Sequence, residues 1–258
     1  MPNLENELVL SELKGNVLWV TLNRPNKYNA LTRVMFLELC RIFKEAADED
    51  EISFVVFTGG KGKYYCAGSD FSPAELATLH EIEHHGYKLF VDILISFPKP
   101  VIALVNGHAV GISVTMLGLM DAVIAIDTAT FSTPFADIGV CPEACSSYTL
   151  PRIMGYQKAA ALMLFSEKFT AQEAYIAGLV TKVLPSTTFE EDAKKILDRY
   201  AQLSPFTMSV GKELMRTTEI KDALLTVNRK EEVQLNGMFS REDTIARLTA
   251  KFMKPSKI

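Results

Sequence analysis

Lys99-Pro100-Val101-Ile102-Ala103-Leu104-Val105-Asn106-Gly107-His108-Ala109-Val110-Gly111, followed by Asp121-Ala122-Val123-Ile124-Ala125-Ile126, is the stretch that decides the architecture. Val101–Val105 and Ala122–Ile126 are short, continuous apolar runs with no polar alternation, the pattern of strands covered on both faces. Between them, Gly107 to Met120 carries small residues. Upstream, a polar helix is expected over roughly 73–96, stopped by Pro98 and Pro100. Phe54-Val55-Val56-Phe57-Thr58 is a further buried strand, ending in Gly59-Gly60. Before it, Thr32 can cap a helix whose Met35, Phe36, Leu39, Ile42 and Phe43 recur at helical spacing. Val17, Trp19 and Thr21 alternate in an early strand, with a partner around Leu8–Leu13 and a turn at Asn23-Arg24-Pro25-Asn26. Downstream, Thr170-Ala171-Gln172-Glu173 has the form of a capping box, opening a helix that Gly178 ends. From about Ser186 the strand signal stops, and segments around Leu197–Leu203, Leu224–Val227 and Leu248–Phe252 are helical. Strands alternating with helices predict an α/β class with a helical tail.

Composition narrows the function classes. The 258 residues are 48% hydrophobic and 22% charged, enough for a large core. A net charge of −4 supplies no basic field for polyphosphate, so general nucleic-acid binding is not expected. Cys40, Cys66, Cys141 and Cys145 are too few for a disulfide framework, and Met1–Gly15 lacks the basic-then-apolar order of a leader. No apolar run is long enough for a membrane span. The expectation is a soluble intracellular protein with free thiols.

Three stretches, taken in order, resemble the crotonase (enoyl-CoA hydratase/isomerase) superfamily. They are Asn23-Arg24-Pro25 with Asn29-Ala30-Leu31-Thr32; Tyr65-Cys66-Ala67-Gly68-Ser69-Asp70-Phe71; and Lys99–Ala103 leading into Asn106–Gly111 and Asp121–Ala125. The similarity runs from about residue 6 to the C-terminus. It implies a spiral of ββα repeats over residues 1–200, a C-terminal helical trimerisation region over 201–258, and a homotrimer or homohexamer. The implied substrate is a fatty acyl-CoA.

The resemblance also implies where chemistry would occur. Its oxyanion hole, two backbone N–H groups aimed at a thioester oxygen, falls on Ser69 and Ile112. Each such donor stabilises a developing enolate by roughly 3 kcal/mol. Ala67, Gly68, Ser69, Asp70, Phe71 and Gly111 are the matching substrate-binding positions, with Asp70 better suited to a local turn or cap than to catalysis. Lys27 and residues 26–31 match a contact to the CoA nucleotide. The two positions that hold glutamates in enoyl-CoA hydratases are Thr115 and Phe135, neither of which can serve as a carboxylate base. Glu143, in Gly139-Val140-Cys141-Pro142-Glu143-Ala144-Cys145, resembles the catalytic base of Δ3,Δ2-enoyl-CoA isomerases. One carboxylate can take a proton from the second carbon and return it to the fourth. The same Pro142-Glu143 pair also has the form of a helix start, whose dipole would lower that carboxyl while burial would raise it.

The expectation is therefore an enoyl-CoA delta isomerase of fatty acid β-oxidation, needing no cofactor and no metal, with CoA as part of its substrate. The alternative is a crotonase-like acyl-CoA-binding or scaffold protein without catalysis. His80-Glu81-Ile82-Glu83-His84 fits the H-E-x-x-H spacing of zinc peptidases, but its setting is that of a solvated helix face. Cys141 and Cys145 lack the second pair a zinc site requires, and Gly107–Gly118 lacks G-x-G-x-x-G. Ser256-Lys257-Ile258 resembles the Ser-Lys-Leu address read by the peroxisomal import receptor, with isoleucine last. It directs the expectation to the peroxisome, with mitochondrion or cytosol otherwise.

Overall fold

The structure, a computed structural model, describes residues 7–77 and 86–252. Strands β1 (Val9–Lys14) and β2 (Val17–Leu22) form an antiparallel hairpin. Four strands then extend β2 in parallel: β3 (Phe54–Gly59), β5 (Val101–Val105), β7 (Ala122–Ile126) and β10 (Lys182–Leu184). A second sheet orders β4 (Tyr64–Cys66), β6 (His108–Val110), β8 (Thr130–Ser132) and β9 (Lys168–Thr170).

Sequence order explains the shape. The chain runs from β3 into β4, from β5 into β6, and from β7 into β8, passing each time from the large sheet to the small one. Helices α2 (Pro73–Ala77) and α3 (Gly86–Ser96) follow the first such pair, α4 (Ile112–Thr115) the second, and α5 (Phe135–Ile138) the third. Each turn of the spiral is thus a ββα unit.

The all-apolar strands need cover on both faces, and they have it. On one side lies α1 (Arg33–Asp48), capped by Thr32 Oγ1, which accepts from the Met35 N–H at 3.3 Å. Its buried Phe43 ring sits 5.1 Å from Phe90 of α3 and 5.1 Å from Phe97. Fully burying one such ring contributes about 1.5–3 kcal/mol. On the other side, Phe54, Val56, Ile102, Leu104 and Ile124 pack under Phe189, Ala193 and Leu197 of α9 (Phe189–Tyr200).

Three further helices complete the tail: α10 (Pro205–Met215), α11 (Thr218–Phe239) and α12 (Glu242–Phe252). Lys212 of α10 is buried, and its Nζ lies 2.7 Å from Asp121 Oδ2 and 2.7 Å from the Lys99 carbonyl. Asp121 Oδ2 also accepts the Val101 N–H at 2.7 Å, so this ion pair fixes the tail to the start of β5.

Several expectations need adjustment. The ββα repeat implied by the resemblance is present, but the residue pattern alone does not display the small sheet, because its strands of three residues are too short to show a period. Helix α10 lies in the helical region expected over 201–258, but its own periodicity is weak because its apolar residues are largely exposed. The expected helix over 73–96 is described as α2 and α3, and the H-E-x-x-H stretch between them lies outside the described residues. The helix start expected at Pro142-Glu143 is corrected. Helix α6 (Ser146–Met154) begins three residues after Glu143, because Ala144 and Cys145 adopt left-handed conformations, φ 55° and 63°.

Candidate active site

One cavity brings together Ala67, Gly68, Ser69, Asp70, Phe71, Gly111, Ile112 and Glu143. The first wall is the loop after β4. Leu31 N–H donates to the Gly68 carbonyl at 2.8 Å and Asp70 N–H to the Leu31 carbonyl at 2.8 Å. This single parallel bridge leaves the intervening Ser69 N–H on the opposite edge of an extended backbone. Gly68, at φ 89°, sits so close to the second wall that a Cβ would lie 2.8 Å from the Val110 carbonyl oxygen. Only glycine permits that approach.

The second wall is the end of β6 and the start of α4. Gly111 makes the corner at φ 60°, ψ −126°, a conformation that side chains disfavour. Ile112 then opens the short helix. Ser113 Oγ accepts the Val110 N–H at 2.9 Å and donates to the Cys66 carbonyl at 2.9 Å, tying the two walls together. Among the described hydrogen bonds, none uses the N–H of Ser69 or of Ile112.

Asp70 is held away from acid–base work. Its Oδ1 accepts the Ser72 N–H at 2.7 Å, forming a local turn before α2, and its Oδ2 lies 2.6 Å from Arg24 Nη1. Burial pushes its carboxyl up, but the Ser72 amide and the Arg24 guanidinium outweigh that and hold it below the usual range. Glu75, another acid on the cavity wall, accepts the Arg33 N–H at 3.0 Å.

Glu143 is different. It is buried, and Thr115 Oγ1 donates to its Oε1 at 2.9 Å. Burial pushes its pKa up to about 8, opposed in part by the Thr115 hydroxyl and assisted by the negative charge of Glu231. The helix start that would have lowered it is occupied by another acid. Glu231 of α11 takes the Cys145 N–H at 2.7 Å and the Ser147 N–H at 2.9 Å. Leu235, Phe239 and Phe252, from α11 and α12, give the cavity an apolar side.

The family model described as enoyl-CoA hydratase/isomerase matches residues 12–253. The chain belongs to that family. The family's fold is recovered as well: OdaA of Pseudomonas aeruginosa superposes with a TM-score of 0.87 at 31% identity, covering 96% of this chain and 100% of that one. The chain is also similar to enoyl-CoA delta isomerase 2 of Rattus norvegicus, at 44% identity over 93% of its residues and 62% of the rat protein's length. Enoyl-CoA delta isomerase 3, peroxisomal, of Mus musculus is 43% identical over 88% of this chain and 72% of that protein.

Two side chains that contact the candidate site carry no signal for it in the sequence. Thr115 stood out only as a missing acid, whereas its hydroxyl orients Glu143. Glu231 carries no local signal: it sits mid-helix in α11, 86 residues from the Cys145 amide it accepts. Cys141 and Cys145 are free thiols, and among the described residues no group of ligating side chains could hold a metal. No described helix is long and apolar enough to cross a membrane.

Proposed function

We propose that the protein is a Δ3,Δ2-enoyl-CoA isomerase, moving a 3-cis or 3-trans double bond of a fatty acyl-CoA to the 2-trans position. The observation that carries this reading is the buried carboxyl of Glu143, facing a cavity whose other acids are tied to neighbouring groups. The relatives named as delta isomerases support it.

In the reaction, the thioester carbonyl oxygen lies between the Ser69 and Ile112 N–H groups. Glu143 takes a proton from the second carbon, and the electron pair left behind delocalises through the double bond to the carbonyl oxygen as a dienolate. The two amides stabilise that oxygen by roughly 3 kcal/mol each. The same carboxyl then returns its proton to the fourth carbon, and the double bond forms between carbons two and three. Thr115 fixes Oε1, leaving Oε2 for the substrate. A base with a pKa near 8 accepts a carbon-bound proton more readily than an ordinary carboxylate does.

Hydration would need two positioned carboxylates, and Thr115 and Phe135 stand at those places. The isomerase mechanism requires no cofactor and no metal, and CoA enters with the substrate, its nucleotide near Lys27. We further propose a homotrimer or homohexamer, built in part by the tail helices. The peroxisome is our choice of compartment, supported by the peroxisomal designation of the mouse relative. Ser256-Lys257-Ile258 lies outside the described residues.

The test is an isomerase assay with a 3-enoyl-CoA, on wild type and Glu143→Gln, beside an acyl-CoA binding measurement. Turnover in the wild type, lost by about 10³-fold in the variant with binding retained, is the expected result. Wild-type binding without turnover would favour the acyl-CoA-binding scaffold instead.

A further inference from the structure

We propose that Glu231 is a positioning residue for the isomerisation: its carboxylate holds the left-handed Ala144–Cys145 turn that presents Glu143 to the substrate. The inference rests on Glu143 being the base. Two consecutive non-glycine residues with positive φ form a strained turn, which persists only where its surroundings over-determine it. Both residues are buried in the core, the Thr149 N–H donates to the Cys145 carbonyl at 2.8 Å, and the side chain that reaches the turn from outside its own segment is that of Glu231. Both oxygens of Glu231 are engaged, Oε2 by the Cys145 N–H at 2.7 Å and Oε1 by the Ser147 N–H at 2.9 Å. Those are amides at the start of α6, which has no side-chain cap of its own. Glu231 is buried and lies on α11, so the tail holds the catalytic loop. Two weaker contacts follow the same line: Cys145 Sγ to the Leu224 carbonyl at 3.3 Å, and Cys141 Sγ to the Glu231 carbonyl at 3.9 Å.

The charge of Glu231 matters as well as its reach. Around the Glu143–Glu231 pair stand Tyr87 and Asp92 from α3, Cys141 and Cys145 from the loop, Glu232 from α11, and Arg216. Burial pushes the Cys141 thiol up to about 11 and raises Cys145 and Tyr87 further, so these three stay neutral across the working range. Asp92 is paired with Lys88 at 2.6 Å. Burial also raises the carboxyl of Glu231, against the pull of Ser147 and the Cys145 amide, and in its ionised form Glu231 is the neighbour whose charge opposes ionisation of Glu143.

The experiment measures kcat, KM and the pH profile of kcat/KM with a 3-enoyl-CoA for wild type, Glu231→Gln, Glu231→Asp and Glu143→Gln. In Glu231→Gln, kcat should fall about 10–100-fold with KM within about twofold. The acid limb should move to lower pH, because removing a negative neighbour eases ionisation of Glu143. Adding Ala144→Gly, which adopts the left-handed turn without strain, should restore part of the lost turnover. Glu231→Asp keeps the charge but is too short to reach both amides, so its limb should stay in place while kcat falls. Should Glu231→Gln fail to fold, Glu231→Asp decides alone, and wild-type turnover there overturns the proposal. An inactive Glu143→Gln beside a Glu231→Gln with unmoved limb and turnover reduced only with its folded fraction overturns the positioning role alone. A fully active Glu143→Gln removes the base and this inference with it.

Discussion

Two regions build the candidate site, a pair of turns and a single loop, and in the proposed mechanism they work by opposite means. The paired turns at Ala67–Phe71 and Val110–Ile112 act through backbone, with small residues where main chain must approach main chain. The loop at Val140–Ser147 would act through a side chain, and two of its amides are held by Glu231 on α11. Machinery made of backbone is written locally, as glycines at a crowded place. A poised carboxyl is written partly at a distance, in whatever buries it and holds its loop.

The contrast can be broken at either loop. The largest effect is expected from Glu143→Gln, which removes the base and leaves the backbone donors intact. The glycines come next. Gly68→Ala adds both strain at φ 89° and a contact at 2.8 Å with the Val110 carbonyl, whereas Gly111→Ala adds strain at φ 60° with only an ordinary contact, 3.9 Å to the Gly68 Cα. Turnover and Tm should therefore drop further in Gly68→Ala than in Gly111→Ala. Equal losses, read by activity assay and thermal melting, would mean the close approach of the two walls is unimportant.

Thr115→Val sharpens the other side. Its hydroxyl lowers the Glu143 pKa and orients Oε1, so its loss should cost roughly tenfold in kcat and move the acid limb to higher pH. That shift is opposite in sign to the one expected for Glu231→Gln. Limbs moving the same way in both variants would contradict the electrostatic account.

The remaining effect is on stability rather than turnover. Burial raises the Glu143 pKa from 4.5 to about 8, so the fold favours its neutral form. Between those pH values the folded chain retains a proton that the unfolded chain releases, and stability falls as pH rises through that window. Relative to wild type, Glu143→Gln should melt at about the same temperature near pH 4.5 and higher near pH 9, by on the order of 10 °C for a shift of this size. A melting curve with no pH-dependent difference would place Glu143 in a more solvated setting.

How much was legible follows the same division. Val101–Val105, Ala122–Ile126, the Thr32 cap and the Thr170 capping box were readable because each is a local pattern with a local cause. The small sheet was not, since three-residue strands are decided by their partners. Pro142-Glu143 carried a genuine helix-start pattern and misplaced the helix by three residues. The acid that serves α6 is Glu231, and nothing near position 143 announces a partner on α11. The Asp70–Arg24 pair was half legible: the turn role belonged to a local motif, the guanidinium to a residue far upstream.

The central claim is that a buried Glu143 is the base. Measuring kcat/KM for a 3-enoyl-CoA from pH 5 to 9.5, with wild type and Glu143→Gln side by side, tests it most directly. Wild type should rise about tenfold per pH unit and level off above about 8, while the variant stays flat and roughly 10³-fold below the plateau. A variant that reproduces the wild-type curve, in height and in limb, would contradict the account.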